Sequence, residues 1–134
     1  ITCRDWSSDV CSSDLKKFKA WKLRFGWMPP HPGTFIKKSV YEKYGNYDIT
    51  YKISSDYELF VRLLLVQHLK YKRINRVLVR MRQGGVSTSG IKNIILLNFE
   101  ILRACKNNGI YTNILFMIVK IPFKLLEMYF RPKD

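Results

Sequence analysis

Acidic residues are scarce in this chain. Over 134 residues, 10 Asp and Glu stand against 24 Lys and Arg, a net charge of +14 at pH 7. That sign favours anionic partners, whether nucleic acid, lipid headgroups or phosphorylated small molecules, without choosing among them. Cysteine is scarce too: three residues with no paired spacing exclude a disulfide scaffold and a four-ligand zinc knuckle. A long apolar run is missing. The longest uncharged stretch, Asn107 to Val119, has 13 residues, whereas a membrane-spanning helix needs about 20 mostly apolar ones. No basic segment followed by an apolar run marks a secretory signal. Against these shortages, 47% hydrophobic and 14% aromatic residues are enough to bury a core, and the length suits one domain.

The first fifteen residues differ from the rest. ITCRDWSSDVCSSDL holds four serines, three aspartates and two cysteines, and the next nine residues hold five Lys or Arg. Asp5 to Leu15, DWSSDVCSSDL, resembles the translation of a short-read sequencing adapter. Residues 1–15 are accordingly expected to be an artefactual, disordered segment, and the chain is expected to be a fragment of a longer protein. Setting aside Arg4 and the three aspartates there takes the 24 basic and 10 acidic residues to 23 and 7, net +16. Cys105 is then the remaining thiol, which fits a reducing compartment.

Lys16 to Arg24 reads as a strand or an irregular approach. Trp27 to Gly33, WMPPHPG, has three prolines and a glycine in seven residues, a composition that forbids helix and central strand and makes a stiff loop. Thr34 to Lys37 suits a short strand, and Ser39 is positioned to cap a short helix that Gly45 stops. Tyr47 to Ile53 reads as a connecting loop. Ser55 to Lys70 has the strongest helical pattern: Ser55 and Glu58 have the spacing of a capping box, Tyr57, Phe60, Val61, Leu64 and Leu65 recur at helical spacing, and Glu58 and Arg62 form a favourable i, i+4 pair. Tyr71 to Met81 alternates basic and apolar residues like one or two strands. A second long helix is expected over Gly90 to Asn108, with Ile91, Ile94, Ile95, Leu102 and Cys105 on one stripe. Tyr111 to Phe130 is an amphipathic tail interrupted by Pro122.

Four features carry chemistry, each beside a plainer explanation. His31 sits on the proline-stiffened loop, where its imidazole has a fixed direction for a substrate hydroxyl, a phosphate or a metal; equally, it satisfies backbone carbonyls. Asp56 is either a general base or a first-turn acid favoured by the helix dipole, and the two roles are compatible. Lys70 to Arg82, with six basic residues and no acid, lines an anion site or is a solvated strand face. The tail packs on the domain or lies on an anionic bilayer surface.

In order, GWMPPHP (26–32), FIKKSVYEKYGNYD (35–48), YKISSDYELFVRLL (51–64) and VLVRMRQGGVS (77–87) resemble the C-terminal half of bacterial family 2 glycosyltransferases, which are GT-A-type enzymes of cell-surface polysaccharide synthesis. KNI (92–94) and NNGI (107–110) extend the similarity more loosely. The resemblance implies an α/β fold (a mixed α+β fragment of the nucleotide-diphospho-sugar transferase type, with C-terminal helices) and an inverting transfer from a nucleotide-sugar donor to a glycan or lipid-linked acceptor. It implies Asp56 as catalytic base and Trp27 and His31 on the acceptor loop; charge adds Arg80 and Arg82 toward the donor diphosphate. The family commonly has threonine where this chain has Gly33, and alanines where it has Ser54 and Ser55. No acidic D-x-D motif and no nucleotide-binding strand–turn–helix is found, and D-W-S-S-D at 5 to 9 does not fill that role.

The expected organisation is an acceptor-side glycosyltransferase segment over 16–110 and an amphipathic tail over 111–134. It is expected to be inactive alone. A divalent metal, Mg or Mn, would serve the parent enzyme through ligands mostly outside this chain. Partners are the nucleotide-sugar, the acceptor and an anionic membrane surface. The location is cytoplasmic, at the inner face of the plasma membrane. The rival readings are a basic nucleic-acid-binding module, which lacks an RNA-binding signature among its aromatics and so makes nucleic acid an unexpected partner, and a peripheral membrane-interaction module.

Overall fold

A computed structural model of the chain describes residues 18–29, 31–71 and 91–117, with residue 91 by its backbone only. In chain order the elements are a 3₁₀ helix over Ala20–Phe25, a 3₁₀ turn over His31–Gly33, helix α1 over Lys38–Tyr44, helix α2 over Ser55–Phe60 running into a π-helical segment over Val61–Val66, and helix α3 over Ile91–Asn107. There is no strand among the described residues. The alternating segment expected to form strands lies at 72–81 and so almost wholly outside them, while 34–37 is extended without a strand partner.

Ala20–Phe25 is helical rather than extended because Ala, Lys, Leu and Arg are good helix formers. It stops at Gly26, whose φ of 75° is left-handed and whose N–H returns to the Leu23 carbonyl. The prolines that follow prevent resumption. Leu23 is fully buried, and the Tyr57 hydroxyl donates to its carbonyl, tying this turn to α2. Helix α1 begins at Lys38, one residue ahead of Ser39, with no side-chain cap. It ends at Gly45, whose N–H donates to the Tyr41 carbonyl at 2.8 Å.

Helix α2 also begins without the anticipated capping box. Ser54 is its N-cap residue and no side chain caps it from within the helix. Glu58 instead turns to Arg62, which donates to both of its carboxylate oxygens at 3.0 Å. Beyond Phe60 the apolar run Val61–Val66 widens into π-helix, a form that inserts residues and rotates side chains relative to an α-helix. Val61 and Leu63 are buried, Leu64 and Leu65 half-buried, and Val66 exposed. The helix closes at Val66, short of Lys70, with His68 in the left-handed region at φ 49°.

Leu23, Tyr51, Tyr57, Phe60, Val61, Ile101, Ala104, Cys105 and Met117 form one buried cluster. Helix α3 supplies Ile101, Ala104 and Cys105, and packs against α2. Its buried stripe is Glu100, Ile101, Ala104 and Cys105; of the expected stripe, Cys105 is buried and Leu102 packs against the cluster, whereas Ile94 and Ile95 are exposed. Among the described residues no helix is long and apolar enough to cross a membrane.

Candidate active site

The start of α2 is held from outside the helix. The Glu100 carboxylate, 5% exposed, accepts from the backbone N–H of Lys52 at 2.7 Å, of Ile53 at 2.9 Å and of Ser54 at 2.9 Å, and from the Ser54 hydroxyl at 3.0 Å. A helix leaves its first amides without intrahelical acceptors, and their dipoles favour a negative charge. Here an acid 46 to 48 residues away in sequence takes the amide of the N-cap residue, Ser54, and the two amides that precede it. Burial pushes the Glu100 carboxyl up, but these four donors outweigh it and hold it below the ordinary glutamate value.

Two residues beyond Ser54, Asp56 is half-buried. Its Oδ1 accepts from the Tyr57 N–H at 2.8 Å. Burial raises the Asp56 carboxyl above the ordinary aspartate range, and its bond to the Tyr57 amide and the neighbouring His31 pull it part of the way back. Among the described residues it forms no salt bridge: Arg62 is committed to Glu58, and Lys38 pairs with Glu42. A carboxylate with lone pairs to spare and a raised pKa is suited to accept a proton.

His31 comes from the proline-rich loop, in the 3₁₀ turn closed by the Thr34 N–H on its carbonyl at 2.9 Å. Its Nε2 lies 2.6 Å from the Tyr47 hydroxyl, and its ring stands edge-on to those of Tyr47 and Phe60. Tyr47 is within electrostatic reach of Asp56, and its hydroxyl is 3.4 Å from that of Tyr41. Burial, the Tyr41 hydroxyl and the two neighbouring charges push the Tyr47 hydroxyl far up, so it stays protonated at any physiological pH.

The two tyrosines are placed by Arg62. Its guanidinium donates to the carbonyls of Tyr44 and Gly45, the latter at 3.2 Å, and to that of Asn46 at 2.7 Å. Glu58 fixes the guanidinium from the other side and also accepts from Asn108 Nδ2 at 3.2 Å. The end of α1, the middle of α2 and the end of α3 are thereby joined beside the site.

The structure thus brings Asp56 and His31 together with Tyr47 and Tyr41. Trp27 follows the Gly26 turn on the same loop, half-buried. Arg80 and Arg82, expected near a donor diphosphate, lie outside the described residues. Tyr47 was hidden in a stretch that reads as a connecting loop. Glu100 had a signal: it is one of ten acids and lies beside Ile101 on the face that Ala104 and Cys105 continue, so once that face is the packed one helical spacing directs its carboxylate inward.

The described residues contain no group of three or more His, Cys, Asp and Glu able to hold a metal ion. They do not fit the divalent metal that a GT-A-type enzyme implies. No protein-family model matches the chain, and no curated protein or solved structure matches it either.

Proposed function

We propose that this chain is the acceptor-side part of an inverting, family 2-like glycosyltransferase of cell-surface polysaccharide synthesis, with Asp56 as its general base. The acceptor hydroxyl oxygen attacks the anomeric carbon of a nucleotide-sugar. The bond from that carbon to the diphosphate breaks with its electron pair staying on the leaving oxygen, and the acceptor proton moves to the Asp56 carboxylate. The acceptor is a glycan or a lipid-linked sugar. His31 and Tyr47 border the same carboxylate and orient the acceptor by hydrogen bonding; Trp27 flanks them on the loop. Arg80 and Arg82 serve the donor diphosphate. The metal and the nucleotide belong to a donor half whose motifs this sequence does not contain, so the chain alone does not turn over. The parent enzyme works at the cytoplasmic face of the plasma membrane.

The observation that carries this reading is the environment of Asp56: a half-buried carboxylate, held by backbone amides alone, raised in pKa and facing a histidine. General base catalysis contributes about 10²- to 10⁴-fold. In the parent enzyme Asp56→Asn is therefore expected to lower transfer from nucleotide-sugar to acceptor by that factor with an unchanged circular-dichroism spectrum. Unchanged turnover removes the assignment. The open reading frame upstream of codon 16 is expected to encode alternating strands and helices with a D-x-D motif.

A further inference from the structure

Glu100 is the most fully committed acid among the described residues. Its carboxylate takes four hydrogen bonds at 2.7 to 3.0 Å, all from three consecutive residues, Lys52 to Ser54. It has no Lys or Arg partner among the described residues. Burying a charge with only amide and hydroxyl donors is costly, and such a nest works only when every donor is aimed at the anion. The loop from Tyr51 to Ser54 is therefore gripped at three consecutive amides by one side chain from another helix, while the buried Tyr51 is held beside them by Asn107 Nδ2 at 3.2 Å and by the Arg103 guanidinium over its ring. Asp56 is two residues past the last donor, in the first turn of a helix that has no side-chain cap of its own. The docking of the Lys52–Ser54 backbone on Glu100 thus sets the entry of the chain into α2, and with the Tyr57 N–H on its Oδ1 it places the Asp56 carboxylate relative to His31 and Tyr47.

We propose that Glu100 is a positioning residue for Asp56: by clamping the three amides ahead of α2 it sets where the base stands against His31 and Tyr47. The inference rests on the acid–base reading of Asp56. It concerns geometry, and no proton passes through Glu100. The Glu100 carboxylate stays ionised and occupied, so it offers nothing to a substrate; its effect is transmitted along two peptide units.

The test uses the full chain with carbon-13-labelled aspartate carboxyls and nitrogen-15-labelled histidine. In the parent sequence Asp56 is expected to titrate above the ordinary value of 3.8, and the His31 ring nitrogens to show Nε2 engaged with Tyr47. In Glu100→Gln the amide oxygen still accepts at one carboxylate position, but the amide nitrogen at the other meets a backbone N–H instead of an acceptor and the charge is gone, which loosens the loop. Asp56 is then expected to titrate nearer the ordinary aspartate value and the His31 signals to revert to those of a solvated imidazole. If Glu100→Gln does not fold, Ser54→Ala, which deletes one of the four donors and keeps the charge, is read the same way with a smaller displacement. An Asp56 titration and a His31 spectrum unchanged in a folded variant overturn the proposal and leave Glu100 as a stability anchor only. In the parent enzyme Glu100→Gln is expected to lower kcat at least tenfold with the donor KM unchanged. Full activity of Asp56→Asn removes the glycosyltransferase reading, whereas the clamp stands or falls on the two spectra.

Discussion

At Asp56, burial and charge oppose each other. Its carboxyl is raised by desolvation, so folding favours the protonated form. The sign follows: Asp56 contributes stability below the ordinary aspartate value, and that contribution is lost as pH rises through its raised folded value. At neutral pH the ionised group is a cost to the fold, and Asp56→Asn is expected to melt higher than the parent chain, with the difference vanishing in acid. Glu100 behaves oppositely. Its folded pKa is depressed, so its contribution is complete above 4.5 and is lost as pH falls through the folded value. Glu100→Ala leaves the buried Ser54 amide and hydroxyl, and the part-buried amides of Lys52 and Ile53, without their acceptor, and a loss on the order of 3 kcal/mol is expected at neutral pH. Denaturant melts of the two variants at pH 3 and pH 7 separate the effects. A parent chain equally stable at both values, with Asp56→Asn unchanged, contradicts both assignments.

At the scale of elements, the glycines that end helices differ in what they tolerate. Gly45 has φ 87° and ψ 160°, a backbone region nearly closed to other residues, and a Cβ there meets Arg62 Nη1 at 3.1 Å. Gly109 has φ 68° with open space around a Cβ. Gly45→Ala is therefore expected to cost about 2 to 3 kcal/mol and to loosen the Arg62 contacts that seat Tyr47, whereas Gly109→Ala costs about 1 kcal/mol from backbone strain alone. Chemical denaturation compares them directly, and equal losses contradict the role given to Arg62. The elements themselves were largely legible in sequence. The apolar spacing from Tyr57 onward, the stop at Gly45 and the long helix up to Asn107 all follow from local pattern. Their termini and faces were not. Ser55 and Glu58 have capping-box spacing, yet the N-cap residue is Ser54, the Glu58 N–H goes to the Ser54 carbonyl, and Arg62 and Asn108 attract the Glu58 carboxylate away from the helix start. On α3 the expected stripe holds at Cys105 and Leu102 and fails at Ile94 and Ile95, which are as apolar as the buried positions, because spacing alone does not say which face has a neighbour.

For the molecule as a whole, the candidate site is assembled from distant parts of the chain. The proline loop supplies His31, the segment after α1 supplies Tyr47, and α2 supplies Asp56. The convergence of His31 and Asp56 was approachable from the ordered motifs, since a stiff loop and a helix start are the two places where the sequence fixes a side-chain direction. The part played by Tyr47 was not, because a single hydroxyl in an irregular stretch has no periodicity to reveal it. Charge belongs to this scale as well. A net +14 sets how the protein meets anions and polyanions, but the acids that build the site number only three, Asp56, Glu58 and Glu100, and composition is blind to where so few of them stand.

The carboxylate of α3 that grips the amides before α2 has a kinetic corollary. Lys52, Ile53 and Ser54 belong to no helix, and by local criteria their N–H groups should trade hydrogen for deuterium as quickly as those of any surface loop. They are shielded only while a segment nearly fifty positions downstream stays docked. Their exchange is expected to share the slow rate of Ile101 and Ala104 and to quicken together with it in mild denaturant, as one cooperative unit. Independent, fast exchange at these three amides contradicts that coupling. With the coupling, the corner that holds Asp56 opens no more often than the interior does.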